Sequence, residues 1–337
     1  MARPGARHLP RPPDDPAGDA ALDALVRLLR REAPAPGAAR DLLAEPGCWF
    51  VARAPGRLDL MGGIADYSGS LVLQWPLSVA TLAAVRRRRD GRFRVLSLGS
   101  PGLPDTRRVD LTRAEICPEG ELLSPRRMRA LLEGERHFAA YVLGCFSVLQ
   151  EVHALELAGG ADVLVTSEVP EGAGVSSSAA LEVSVMSALA GALECEVPAR
   201  ERALLCQRVE NEAVGAACGV MDQMTSCCGE ENRLLALLCQ PAELQPSIPW
   251  PTELALWGID SGVRHSVAGT GYTEVRIGAF LGYRILAEAA GLACRPIGEG
   301  RVAVTGIDEG TEIVVGGAYF LKAALDVVPE ETDGGGA

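Results

Sequence analysis

PEGAGVSSS, residues 170–178, stands between an apolar, β-branched run (ADVLVTSEV, 161–169) and a long apolar stretch that begins at Ala179. The run before it reads as a strand, and the stretch after it as a buried helix over 176–193. Gly172 and Gly174 let the backbone turn tightly and approach a ligand with no Cβ in the way. Ser176, Ser177 and Ser178 then open the helix, where free N–H groups and the helix dipole favour an anion. An ordinary Ser cap after a Gly turn is the plainer alternative. Two spaced Gly followed by three consecutive Ser favour a phosphate loop formed by Gly172, Ala173, Gly174, Val175 and the three Ser. No GxSxG elbow is present, which disfavours a serine hydrolase.

Which phosphate chemistry is open follows from composition. The 337 residues include one Lys, Lys322, among 32 basic residues, and no GxxxxGK[ST] segment. P-loop NTPases and protein kinases both place a Lys on the phosphates, so those two classes are set aside. A formal net charge of -12 argues against nucleic-acid partners. The basic run at 86–89 reads as a solvated turn between two strands. Ten scattered Cys without paired spacing read as small core residues of a reduced, cytoplasmic protein, and four His in no ligand pattern give no zinc site. No apolar run reaches the ~18 residues of a membrane span, and no signal peptide is read at the N-terminus.

Working outward, residues 1–20 read as a polar tail, and 19–32 as an amphipathic helix. Strands are expected at CWFVARAP (48–55), LVLQWPLSVATLAAVRRR (71–88), RFRVLSLG, NRLLALLC (232–239) and ELALWGID (253–260). Helices are expected over 128–154, 200–215 and 272–290. Strands and helices without a regular βαβ period give an α+β fold class.

Three further segments share one resemblance with the loop. PEGAGVSSSAALE resembles the second motif of the GHMP kinases. APGRLDLMGGIADYSG, at 54–69, resembles the sugar-binding signature of their galactokinase-like branch, and CGVMDQMTS, at 218–226, its catalytic-Asp segment. Together with GIDSGVRHSVAGTGYTEVR (258–276), the likeness covers roughly residues 48–290, with wording similar to the kinase domain of arabinokinases.

The resemblance implies a two-domain fold: a tail and helix (1–40), an N-terminal α/β domain like ribosomal protein S5 (41–240), and a C-terminal α+β domain (241–337). A third Gly-rich motif is not found in that last region, so the second domain is expected to be incomplete. It implies ATP and a small-molecule sugar as substrates, and Mg²⁺ as the metal. Asp222 becomes the catalytic base, with Arg57 lowering the pKa of the acceptor hydroxyl. Ser178 and Glu210 become the metal pair, with Glu212 a weaker competitor. Asp66, Tyr67, Gly219 and Tyr272 become sugar-binding residues, and His265 structural.

One departure bears on the sugar. Galactokinases carry Glu-His where this chain has Gly63 and Ile64. Losing two polar groups would leave the exocyclic hydroxyl of galactose unpaired, a difference of several kcal/mol in a site built on hydrogen bonds. A sugar of the same ring stereochemistry without that carbon, L-arabinose, is the expected acceptor, to be phosphorylated at O1. Galactose or another sugar, and a sugar- and nucleotide-binding homologue without turnover, are the alternatives.

Overall fold

The computed structural model describes residues 7–8, 16–99, 106–155 and 159–254, and beyond them 256, 258–259, 270–289, 291, 293–298 and 301–305. Its frame is a mixed sheet built from β1 (Phe50–Met61), β2 (Leu71–Arg87), β3 (Arg92–Ser97), β4 (Arg107–Thr112), β5 (Gly160–Ser167) and β6 (Arg233–Leu238). The helices that accompany it include α1 (Pro16–Leu29), α2 (Arg40–Ala44), α3 (Phe138–His153), α4 (Ser177–Ala192), α5 (Ala199–Arg208), α6 (Met221–Cys228) and α7 (Thr270–Ala289).

The strands run in the order β1-β2-β5-β3-β4. β2 is long enough to serve two neighbours on one edge: Thr81–Arg87 pair antiparallel with β5, and Leu71–Gln74 with β6. β3 lies parallel to β5 and antiparallel to β4. The β1–β2 register shifts between Pro55 and Arg57. Pro55 has no N–H to give the ladder, so the strand bulges there and turns the next residues toward α4.

Side chains alternate between two cores, as strand geometry requires. Ala52, Ala54, Ala83, Val85, Val163 and Val165 pack under α3 and α4, with Phe146, Met186 and Leu189 filling the layer. Val51, Leu82, Ala84, Leu96 and Leu164 face the other way, onto α1 and α2. α4 is apolar and buried on nearly all sides, which accounts for its run of Ala and Val. The α+β class is borne out.

The basic run at 86–89 departs from expectation. Arg86 and Arg88 are buried, as is Arg94 on β3, and all three donate to the wholly buried carboxylate of Asp162 on β5. They lie on the face that carries Leu82, Ala84, Leu96 and Leu164, so strand alternation drives them under α2 instead of into water. Arg86 also donates to the carbonyl oxygens of Leu42 and Glu45, which close the C-terminal end of α2. A guanidinium there satisfies acceptors that the helix leaves open. Glu45, Asp90 and Asp41 bring further negative charge from the rim.

Several boundaries also move. The helix expected over 128–154 is two, Pro125–Leu131 and α3, parted by a turn at Gly134, which has φ +67°. The 200–215 helix is α5 followed by a π-turn, Val209–Val214, that ends at Gly215 with φ +85°. Of the strand expected over 253–260, the described residues are turn or irregular. Among the described residues, no Cys is in a disulfide, and Cys117, Cys145, Cys206 and Cys239 are buried. No helix among them is long and apolar enough to cross a membrane.

Candidate active site

The bulge at Pro55 sets up the site. Gly56 passes so close to α4 that a Cβ there would stand 2.7 Å from the Val175 carbonyl oxygen. Only Gly fits, and the next residue is thereby stitched to the loop: the Arg57 N–H donates to Val175 O at 3.1 Å. Arg57, 8% exposed, donates through Nη1 to Gly174 O at 2.8 Å. Nε and Nη2 both reach Oδ1 of Asp222, at 2.9 and 2.7 Å. Burial works against charge on Arg57, but Asp222 beside it holds the guanidinium pKa above its ordinary value.

Asp222 sits in the first turn of α6, where a carboxylate is favoured by the helix dipole. Its second oxygen, Oδ2, accepts a hydrogen bond from Ser176 Oγ at 2.6 Å. Ser176 is the N-cap of α4 and adopts a left-handed backbone, φ +60°. Its hydroxyl is spent on Asp222, so no side chain caps α4. The first-turn N–H groups of α4 are left to an incoming anion, beside Gly172 and Gly174, which have φ +73° and +75°.

Behind Asp222 lies Glu210, 2% exposed, on the π-turn. Such turns widen a helix locally and recur at functional sites. Burial, then the neighbouring Asp222 charge, push its pKa up to about 7, while hydrogen bonds with Ser178, Cys218 and Gln223 pull the other way. Glu212, in contrast, pairs with Arg208 at 2.7 Å. Ser178 and Glu210 thus meet as a hydroxyl and a carboxylate. Two hard oxygens are what Mg²⁺ takes from a protein when phosphate and water supply the rest. No group of three or more acidic, His or Cys side chains among the described residues forms a closed metal cage.

Asp66 is 7% exposed, and its two oxygens accept the Val220 and Met221 N–H groups at 3.1 and 3.2 Å. Burial raises its pKa, and those two bonds oppose the rise. The carboxylate therefore closes the N-terminus of α6 and holds Asp222 in place, and it also meets the Cys239 thiol. Gly219 makes room for it: a Cβ there would lie 1.8 Å from Asp66 Oδ2. Tyr67 is buried and donates its hydroxyl to Ala217 O at 3.1 Å, on the same segment. Gly63, φ +54°, has open space where a side chain would be, and Ile64 is 67% exposed. Tyr272 lies in α7, but its side chain, like the whole of His265, is outside the described residues.

Three residues went unread in the sequence. Asp59 accepts from Gly63 N at 2.6 Å and from Gln74 Nε2 at 2.7 Å, and so shapes the Gly62–Gly63 turn. Gln223 and Glu182 are both fully buried behind Asp222. Glu182 carried a legible signal, a lone acid in an apolar helix one turn after Ser178, since such a charge is almost never buried unless paired.

Comparison with known proteins places these parts together. The family model described as GHMP kinases N terminal domain matches residues 140–230, which hold the loop, Glu210 and Asp222. The chain carries the N-terminal domain of the GHMP kinases. The galactokinase galactose-binding signature matches residues 43–87, which hold Arg57, Asp66 and Tyr67. An L-arabinokinase of Arabidopsis thaliana is 44% identical over 270 residues, 73% of this chain and 26% of that protein. A galactokinase of Chloroflexus aggregans is 36% identical over 242 residues, 72% of this chain and 56% of its own length. The chain thus spans about half of the galactokinase and a quarter of the L-arabinokinase. A Lactococcus lactis galactokinase crystallised with galactose shares the fold, with a TM-score of 0.52 and 23% identity over 68% of this chain and 52% of that one.

Proposed function

We propose that this GHMP kinase domain transfers the γ-phosphoryl group of ATP to the anomeric hydroxyl of a sugar, and that the sugar is L-arabinose. The observation that carries the reading is the meeting of Arg57, Ser176 and Asp222 at the uncapped start of α4. An acid beside a sugar hydroxyl, a fixed cation and an anion-binding helix end are the three parts that phosphoryl transfer to an alcohol asks for.

ATP phosphates lie against Gly172–Val175 and the first N–H groups of α4 in this reading. Asp222 accepts the proton of the sugar O1–H, O1 forms its bond to the γ-phosphorus, and the bond from that phosphorus to the β–γ bridging oxygen breaks to give ADP. Arg57 holds Asp222 in orientation and favours the developing alkoxide. Ser178 and Glu210 would hold Mg²⁺, and the ion would offset charge on the phosphate oxygens. Asp66 and Tyr67 fix the segment 217–221, so that Asp222 meets the hydroxyl in one orientation. The side-chain-free Gly63 and the apolar Ile64 favour a ring without an exocyclic hydroxymethyl group.

A coupled ADP-release assay over a panel of sugars tests this directly. L-arabinose is expected to give the highest kcat/KM. A protein that prefers galactose refutes the sugar; one that releases ADP with no sugar, while Asp222→Asn changes nothing, refutes the kinase reading.

A further inference from the structure

Directly after Asp222, Gln223 turns its side chain the opposite way, into the interior, where it is wholly buried. Its Nε2 donates to Oε2 of Glu210 at 2.6 Å and approaches Oε2 of Glu182 at 3.3 Å. It also lies 3.8 Å from the Cys218 sulfur. Glu182 is one helical turn after Ser178 on α4, so the two side chains share a face. Ser178 reaches Glu210 directly, and Glu182 reaches it through Gln223.

The arrangement is poor as simple packing. Gln223 Oε1 and Glu182 Oε1 are buried with no hydrogen-bond partner among the described residues. Unmade bonds of that kind cost stability, and apolar side chains of the same shape would avoid the cost. What the polar pair does supply is direction. One amide group clamped between two carboxylates fixes the rotamer of Glu210, and a single helix residue ties that rotamer to the position of Asp222.

We propose that Gln223, anchored by Glu182, is a positioning residue that presents the Glu210 carboxylate, beside Ser178, to the divalent cation of the nucleotide complex. The inference rests on the metal role given to Glu210 above. Outer partners of this type set metal affinity, and losing one weakens binding by about 10- to 100-fold.

Mn²⁺ provides the probe, its binding followed by electron paramagnetic resonance with a non-hydrolysable ATP analogue present. Gln223→Met removes both donor arms at similar volume, and Glu182→Met removes the anchor. Each is expected to weaken Mn²⁺ binding about tenfold or more and to raise the KM for the metal–ATP complex more than it lowers kcat. Glu182→Gln keeps an oxygen to accept from Gln223 and is expected to stay near the parent protein. Gln223→Leu, which likewise carries no donor, serves if the Met variant does not fold, and should weaken Mn²⁺ binding as much.

Parent-like Mn²⁺ affinity in a folded Gln223 variant, with Glu210→Gln weakened, overturns the positioning role alone. The same holds if Glu182→Gln binds as poorly as Glu182→Met. Parent-like affinity in Glu210→Gln overturns the metal assignment beneath it as well.

Discussion

Ser176 Oγ donates to Oδ2 of Asp222 at 2.6 Å while Arg57 holds Oδ1, so the carboxylate is fixed from two sides by two different elements. One partner comes from the bulge in β1 and the other from the cap of α4. An acid gripped in this way is oriented before any substrate arrives, and that pre-organisation lowers the barrier to proton transfer.

Replacing Asp222 by Asn keeps the shape and removes the proposed base. The kcat for sugar phosphorylation should fall by about 10²- to 10⁴-fold. The KM for the sugar should change far less, and steady-state ADP release separates the two.

Arg57 makes four bonds from one side chain and its own N–H, and the fork geometry is not available to Lys. Arg57→Ala should cost about 3 kcal/mol in urea unfolding, the low end for breaking a buried pair. The low end applies because the Asp222 side chain keeps 27% of its exposure. Arg57→Lys should recover only part of that loss, and little of the activity.

Gly219→Ala tests the fit of Asp66 against α6. The added methyl would enter the space of the Asp66 carboxylate, and overpacking of that kind costs about 1–3 kcal/mol. Thermal unfolding should report the loss. Activity should fall further than stability, because the displaced segment carries Asp222.

Asp162 is the sole fully buried carboxylate facing Arg86, Arg88 and Arg94 among the described residues. Asp162→Asn leaves three guanidiniums short of charge and should destabilise the fold by about 3–5 kcal/mol. Urea unfolding gives the figure. The site, on the opposite face of the sheet, should keep its kinetic constants in whatever fraction folds.

The rim of that network sets an acid dependence. A hydrogen bond from Arg108 brings the Asp41 pKa down to about 2, and one from Arg88 does the same for Asp90. A carboxyl lowered from its ordinary 3.8 contributes stability above that pH and loses it as pH falls toward 2. Both side chains are about half exposed, so the pair together is worth roughly 1 kcal/mol. Unfolding free energies at pH 5 and pH 2.5 should differ by that much less in the Asp41→Asn, Asp90→Asn double variant.

The sequence made the loop, the sheet's apolar strands and the positions of the acidic motif residues legible, because Gly spacing, strand alternation and motif wording are local. Arg86 and Arg88 were misread for the same reason. A basic run looks solvated until a strand 76 residues away places Asp162 under it. Asp59 and Gln223 were invisible because their meaning lies in partners brought together by the fold. Asp66 could be seen as a carboxylate near a sugar, but its hold on the Val220 and Met221 N–H groups exists only once α6 packs against the β1–β2 hairpin.

The backbone of Ser176 has a practical consequence for anyone improving this chain. A non-glycine residue in the left-handed region carries strain of about 1 kcal/mol or more, so a designer seeking thermal robustness would choose Gly at 176. That same choice deletes the hydroxyl that orients Asp222. Selection for heat tolerance alone would therefore favour a sturdier protein with a slower reaction, and a screen of position 176 should rank variants in opposite orders for the two properties.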